Sequence, residues 1–96
     1  AYAIRGTVAA HARAYAQAVD DLSRAIELDP HFAPAYLERA RALTQRGAYR
    51  EALSDFARYL DFDPRSALAY ASRGIVHHLA GDAASASADF ARALKY

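Results

Sequence analysis

The chain contains no cysteine, no methionine and no tryptophan, and only four glycines and three prolines among 96 residues. Without cysteine, disulfides and thiolate metal sites are excluded, and the redox compartment leaves no trace. No apolar run is long enough to span a bilayer, and no secretory signal is present. Neither sign of charge prevails. Twelve basic residues meet 11 acidic ones, for a formal net charge of +1, so there is no electrostatic case for nucleic acid or an anionic membrane. Lysine occurs once against 11 arginines, an association with GC-rich, bacterial coding rather than a physical argument. The missing initiator methionine suggests a piece of a longer protein.

Alanine is abundant instead, which suits close helix contacts and high helix propensity. The few glycines and prolines are periodic, so they punctuate the chain rather than disorder it. One pattern dominates. Tyr-x-x-Arg-Gly/Ala occurs three times at one fixed spacing, as Tyr2–Gly6, Tyr36–Ala40 and Tyr70–Gly74. Asp29-Pro30 returns as Asp63-Pro64. Ala18, Ala52 and Ala86 share the register, as do Leu22, Phe56 and Phe90. Asp21 and Arg24 return as Asp55 and Arg58, then as Asp89 and Arg92. A period of about 34 residues marks a stacked array whose units bury their apolar faces against their neighbours.

Six helices follow from the 3.6-residue periodicity and the breakers, near 1–12, 15–28, 34–46, 49–62, 67–79 and 83–95. Gly47 and Gly81 stand where a left-handed C-terminal cap is needed. Arg13-Ala14 occupies the same turn in the first repeat. Pro30 and Pro64 close helices, and Pro34 falls in a first turn, where proline is tolerated. Gly6 is expected to face Ala18, Ala40 to face Ala52, and Gly74 to face Ala86. The Asp/Arg pairs at i,i+3 read as local ion pairs on a solvated face, worth about 0.2–0.5 kcal/mol each. Tyr59 departs from its small register mates Ala25 and Ala93, and calls for local repacking.

These residues resemble the tetratricopeptide repeat (TPR) family, which has the same period. The family's aromatic, small, small, aromatic and proline positions fall on Tyr36, Ala40, Ala52, Phe56 and Pro64. The resemblance covers essentially all of the chain. It implies an all-α fold, a right-handed superhelical stack of antiparallel helix pairs (an α-solenoid) with a concave groove. One domain, 1–96, would hold repeats at about 1–32, 33–66 and 67–96.

The family lines its groove with the first helix of each repeat. In helix 34–46, Tyr36, Ala40 and Leu43 take the core side, and Leu37, Glu38, Arg41, Thr44 and Gln45 the other. The equivalents are Ala3, Ile4, Thr7, Ala10 and His11, then Ala71, Ser72, Ile75, His78 and Leu79, with Leu68 one turn earlier. Ile4, Leu37, Leu68, Ile75 and Leu79 have no internal reason to be apolar if they face water, and such a patch suggests a binding site. The expected partner is a protein or peptide with apolar anchors, presented as an amphipathic helix or an extended segment. Another helix of the parent protein would cover the groove equally well. The family's carboxylate clamp for acidic chaperone tails is not expected. Ala3, Thr7, Glu38, Leu68 and Ser72 stand at its positions and supply no cation.

Chemistry is not expected. Adjacent helical residues point about 100° apart, so His77 and His78 are poorly placed to hold one metal ion. His77 reads as a seam histidine with a hydrogen-bond partner. Ser85 and Ser87 read as filler on a small-residue helix. Isolated glycines make no phosphate loop. No cofactor, metal or catalytic residue is assigned, and the chain is expected to be a binding module rather than an enzyme. A second possibility is self-assembly, with homo-oligomers formed through terminal helices. The last helix carries Ala84, Ala88, Ala91, Leu94 and Tyr96 with nothing after it to cover them.

Overall fold

A computed structural model describes the backbone of residues 2–96 and the side chains of residues 14–96. It has five helices: α1 (Tyr2–Leu28), α2 (Ala33–Gln45), α3 (Tyr49–Phe62), α4 (Ala67–Leu79) and α5 (Ala83–Lys95). No strand occurs among the described residues. Each helix packs on the next in chain order. The α2–α3 and α4–α5 hairpins therefore sit side by side, and α3 packs on α4 between them.

The last four helices closely follow the expected bounds, for identifiable reasons. Gly47 and Gly81 adopt φ of +80° and +87°. At each, the glycine amide donates back to the carbonyl of Thr44 or His78, both at 3.1 Å. The following amide donates to Leu43 or His77, at 2.9 and 2.8 Å. This pair of bonds is a Schellman cap, which closes a helix and turns the chain back. Ser66 caps α4 by accepting from the Ala69 amide at 3.2 Å. Asp82 caps α5 by accepting from the Ser85 amide at 3.1 Å and the Ser85 hydroxyl at 2.6 Å. Ser85 thus serves a helix start.

The first two expected helices are one. Residues 2–28 form a single helix, and the turn expected at Arg13-Ala14 is absent. The register supplies the reason. Arg13 stands one period before Gly47 and two before Gly81, the positions that take positive φ. An L-residue with a side chain pays about 1–2 kcal/mol for that conformation. The surrounding His11-Ala12-Arg13-Ala14 run also has good helix formers, so the helix continues through it.

The core runs between α2, α3 and α4. Ala40, Ala52, Ala69 and Val76 have no exposed surface, and Phe56, Leu43 and Leu60 join them. Tyr59 is half-buried and packs against this cluster, so its bulk is absorbed where its register mates are alanine. Gly74, expected to face Ala86, has the Phe90 ring as its nearest neighbour. A Cβ built on it would lie 2.8 Å from the Phe90 ring, one turn along α5. Its bare backbone lets that ring close on α4.

The expected solvated Asp/Arg face is corrected by burial. Asp55 is 5% exposed and Asp89 1%. Arg39 donates to Asp55 through Nε at 2.7 Å and Nη2 at 2.8 Å. Arg73 holds Asp89 in the same way, both bonds at 2.8 Å. These are two-pronged, charge-assisted contacts that join the helices of each hairpin. Arg92 also donates to Asp89 at 2.8 Å, as the i,i+3 reading expects. Arg58 does not bond Asp55 in this way. Its guanidinium lies over the Tyr36 and Phe62 rings, at 5.9 and 5.5 Å from their centroids.

Candidate functional site

The expected groove residues separate into three groups. Leu37 is corrected: it is 9% exposed and belongs to the core cluster with Ala69 and Val76. Ile4, Thr7 and His11 lie outside the residues whose side chains are described. Glu38, Arg41, Gln45, Leu68, Ala71, Ser72, Ile75, His78 and Leu79 remain on the surfaces of α2 and α4, exposed or half-buried.

Two shallow cavities collect most of these. One, of about 140 Å³, lies between α2 and α4 and is lined by Arg41, Thr44, Gln45, Phe56, Ser72 and Ile75. The second, of about 330 Å³, lies between α1 and α2, where Ala18 and Leu22 face Glu38, Arg41, Ala42 and Gln45. Arg41 and Gln45 border both. Glu38 and Arg41 form an exposed i,i+3 pair at 3.7 Å, a weak contact that leaves both free to reorient.

On α4 the apolar residues make a stripe. Leu68, Ile75 and Leu79 are 56%, 50% and 51% exposed, and Ser72 stands between them. Their spacing, two turns and then one, keeps them on one helix face. Such large side chains at half exposure, beside a cavity, form a surface suited to apolar anchors. His78 lies nearby on the same helix.

The seam between α4 and α5 holds a buried carboxylate among cations. Burial works to raise the pKa of Asp89, but hydrogen bonds and charge from Arg73, helped by Arg92 and His77, outweigh it. The carboxyl is held below its ordinary value. The hydrogen bond to Asp89 raises the Arg73 pKa in turn, and Asp55 raises that of Arg39. His77 Nε2 lies 3.6 Å from Asp89, so this histidine belongs to the hairpin clamp. Among the described residues, every buried side-chain nitrogen and oxygen has a hydrogen-bond partner. No three His, Asp or Glu side chains among them gather as a metal ligand set. No helix among them is long and apolar enough to cross a membrane.

Reading the residues singly misses two contacts that the register reveals. The Arg39/Arg73 and Asp55/Asp89 columns both repeat with the common period, offset by 16 residues. Two tyrosines of the motif, Tyr36 and Tyr70, also reach back. Tyr36 donates its hydroxyl to the Pro30 carbonyl at 2.9 Å, and Tyr70 to that of Pro64 at 2.8 Å. The motif tyrosine thereby ties the Asp-Pro turn to the helix that follows it.

Comparison with known proteins agrees with this geometry. The family model for the tetratricopeptide repeat matches residues 9–75. The chain belongs to that family. Two solved structures are similar to it. "Crystal structure of MamA" superposes with a TM-score of 0.76 at 27% identity, covering 80% of this chain and 45% of that one. "Crystal structure of MamA protein" gives 0.77 at 27% identity, covering 80% of this chain and 42% of that one. This chain thus spans less than half the length of either neighbour. No curated protein matches it.

Proposed function

We propose that this chain is a protein-interaction module whose working surface is the face shared by α2 and α4. Its partner is a helical or extended segment with apolar anchors. The observation that carries this reading is the half-exposed stripe of Leu68, Ile75 and Leu79, with Ile75 opening onto the cavity beside Arg41 and Ser72. Burying side chains of this size fully gains roughly 1.5–3 kcal/mol each relative to leaving them in water. Two or three anchors on one stripe match the way amphipathic segments dock. Glu38 and Arg41 offer one charge of each sign at the rim, enough to set the orientation of a segment rather than to hold it. The family's role as interaction scaffold supports the same reading. The groove continues along a right-handed superhelix, and the chain acts as a scaffold or adaptor rather than an enzyme.

The experiment is capture of binding segments from a displayed peptide library by wild type and by the Ile75→Glu/Leu79→Glu variant. Peptides enriched by wild type and lost by the folded variant support the groove. Equal enrichment by both moves the working surface elsewhere.

A second reading has its own observation. On α5, Leu94 is 90% exposed and Phe90 39%, although their register mates Leu60 and Phe56 are buried in the core. That face suits end-to-end stacking on another copy. A Leu94→Glu variant that loses a wild-type oligomer supports it, and a wild type that never associates removes it.

A further inference from the structure

The two cavities beside α2 are one feature repeated. Moved by one period, Leu22, Glu38 and Arg41 of the α1–α2 cavity become Phe56, Ser72 and Ile75, which line the α2–α4 cavity. Gln45 becomes Leu79 in the same step. The position repeats and the chemistry does not. Where α2 carries an acid, a base and an amide, α4 carries a hydroxyl and two large apolar side chains. The first cavity therefore suits a side chain with an apolar stem and a charged head, and the second an apolar side chain.

The sign of the head follows from where the charges sit. Glu38 lines the α1–α2 cavity and not the α2–α4 one, whereas Arg41 stands on the ridge between them and borders both. The Glu38–Arg41 contact is 3.7 Å long and both side chains are more than half exposed, so the carboxylate is open to a second cation. On the described part of α1, Asp20, Asp21 and Glu27 outnumber Arg24, and their field favours a cation at that end of the groove. α4, at the other end, carries no acid. A lysine or arginine can lay its stem along Ala18, Leu22 and Ala42 while its charge reaches Glu38.

The spacing follows from helix packing. The cavities lie on either side of α2, and packed helices stand about 8–10 Å apart. A polyproline II segment has three residues per turn and rises about 3.1 Å for each, so residues i and i+3 share a face about 9 Å apart. A β-strand would put those two residues on opposite faces. Polyproline II backbone makes no internal hydrogen bonds. Its carbonyls are therefore open to the Arg41 guanidinium and the Gln45 amide as the segment crosses the ridge. We infer that the groove takes an extended segment bearing a basic and a large apolar side chain three residues apart. The base sits beside Glu38, and the apolar side chain beside Ile75 and Phe56. This rests on the reading of the α2–α4 face as the working surface and adds the class of partner. The apolar anchor holds the segment, and Glu38 selects it.

Selection of displayed peptides by wild type, Glu38→Arg and Ile75→Glu/Leu79→Glu tests it, with helicity checked by circular dichroism. Wild type is expected to enrich peptides with arginine or lysine three residues from a large apolar residue. Glu38→Arg is expected to enrich an acid at the basic position and keep the apolar one. A synthetic wild-type peptide remade with glutamate for its basic residue is expected to bind wild type about tenfold more weakly. Peptides that need Ile75 and Leu79 but carry no base at that spacing overturn the inference and leave the groove reading standing. So do equal enrichment of the same peptides by Glu38→Arg and equal affinity for the remade peptide. Peptides retained by folded Ile75→Glu/Leu79→Glu, or no enrichment by wild type, overturn both.

Discussion

Arg39 grips both carboxylate oxygens of Asp55 from 16 residues away, at 2.7 and 2.8 Å, and in doing so ties α2 to α3. Arg73 and Asp89 tie α4 to α5 with the same geometry. The hairpin is the unit that stacks, so this clamp acts on the fold and on the face that α2 and α4 present.

Removing one partner of such a clamp leaves a charge without its counterpart. Asp55→Ala is expected to destabilise the chain by about 2–3 kcal/mol. The cost stays below that of a fully buried pair because the Arg39 side chain is 23% exposed and regains some water. Glu38→Ala, which breaks the exposed pair with Arg41, is expected to change stability by less than about 0.5 kcal/mol. Urea denaturation of the two variants compares them directly.

The lowered pKa of Asp89 makes stability depend on acid. A carboxyl whose folded pKa lies below its unfolded value contributes stability above the unfolded pKa, about 3.9, and loses it as pH falls through the folded one. Melting temperature is therefore expected to fall as pH drops below about 4. Asp89→Asn should be less stable than wild type at neutral pH and should show a shallower acid loss. Thermal melts at a series of pH values read both.

Gly47 and Gly81 hold the positive φ that closes α2 and α4. Nothing lies within 4 Å of a Cβ at either position, so the cost of alanine there is conformational alone. Each Gly→Ala change is expected to cost about 1 kcal/mol. Differential scanning calorimetry of both variants measures it, and equal costs are expected because the caps are alike.

The tyrosine hydroxyls are separable by burial. Tyr36 is 7% exposed and its bond to Pro30 is part-buried, whereas the Tyr70 bond to Pro64 is exposed. Tyr36→Phe is expected to cost about 1 kcal/mol, and Tyr70→Phe less, since water replaces an exposed partner cheaply. Denaturant midpoints of the two variants rank them.

The helix breakers are legible in the sequence because each acts locally. Gly47, Gly81, Pro30 and Pro64 bound their elements whatever the tertiary context. The first hairpin is not legible from periodicity, because the apolar pattern of residues 1–12 and 15–28 suits two helices or one. The residue at the turn decides, and Arg13 stands where the later repeats have glycine. Leu37 looks free in the sequence because its mates Ala3 and Ala71 are small. Its longer side chain instead reaches the core cluster that Ala69 and Val76 share. Asp55 and Asp89 look solvated because each has a near arginine at i+3. The partner that buries them comes from the preceding helix, which only the offset between two repeating columns reveals.

The central claim is that Ile75 and Leu79 face a partner and not the core. The most direct measurement is the urea denaturation midpoint of the Ile75→Glu/Leu79→Glu variant, followed by its capture of the peptides that wild type enriches. The account predicts unchanged helical content, a midpoint close to wild type and loss of capture. A midpoint that collapses would place these side chains in the core, and capture retained by the folded variant would place the working surface elsewhere; either contradicts it.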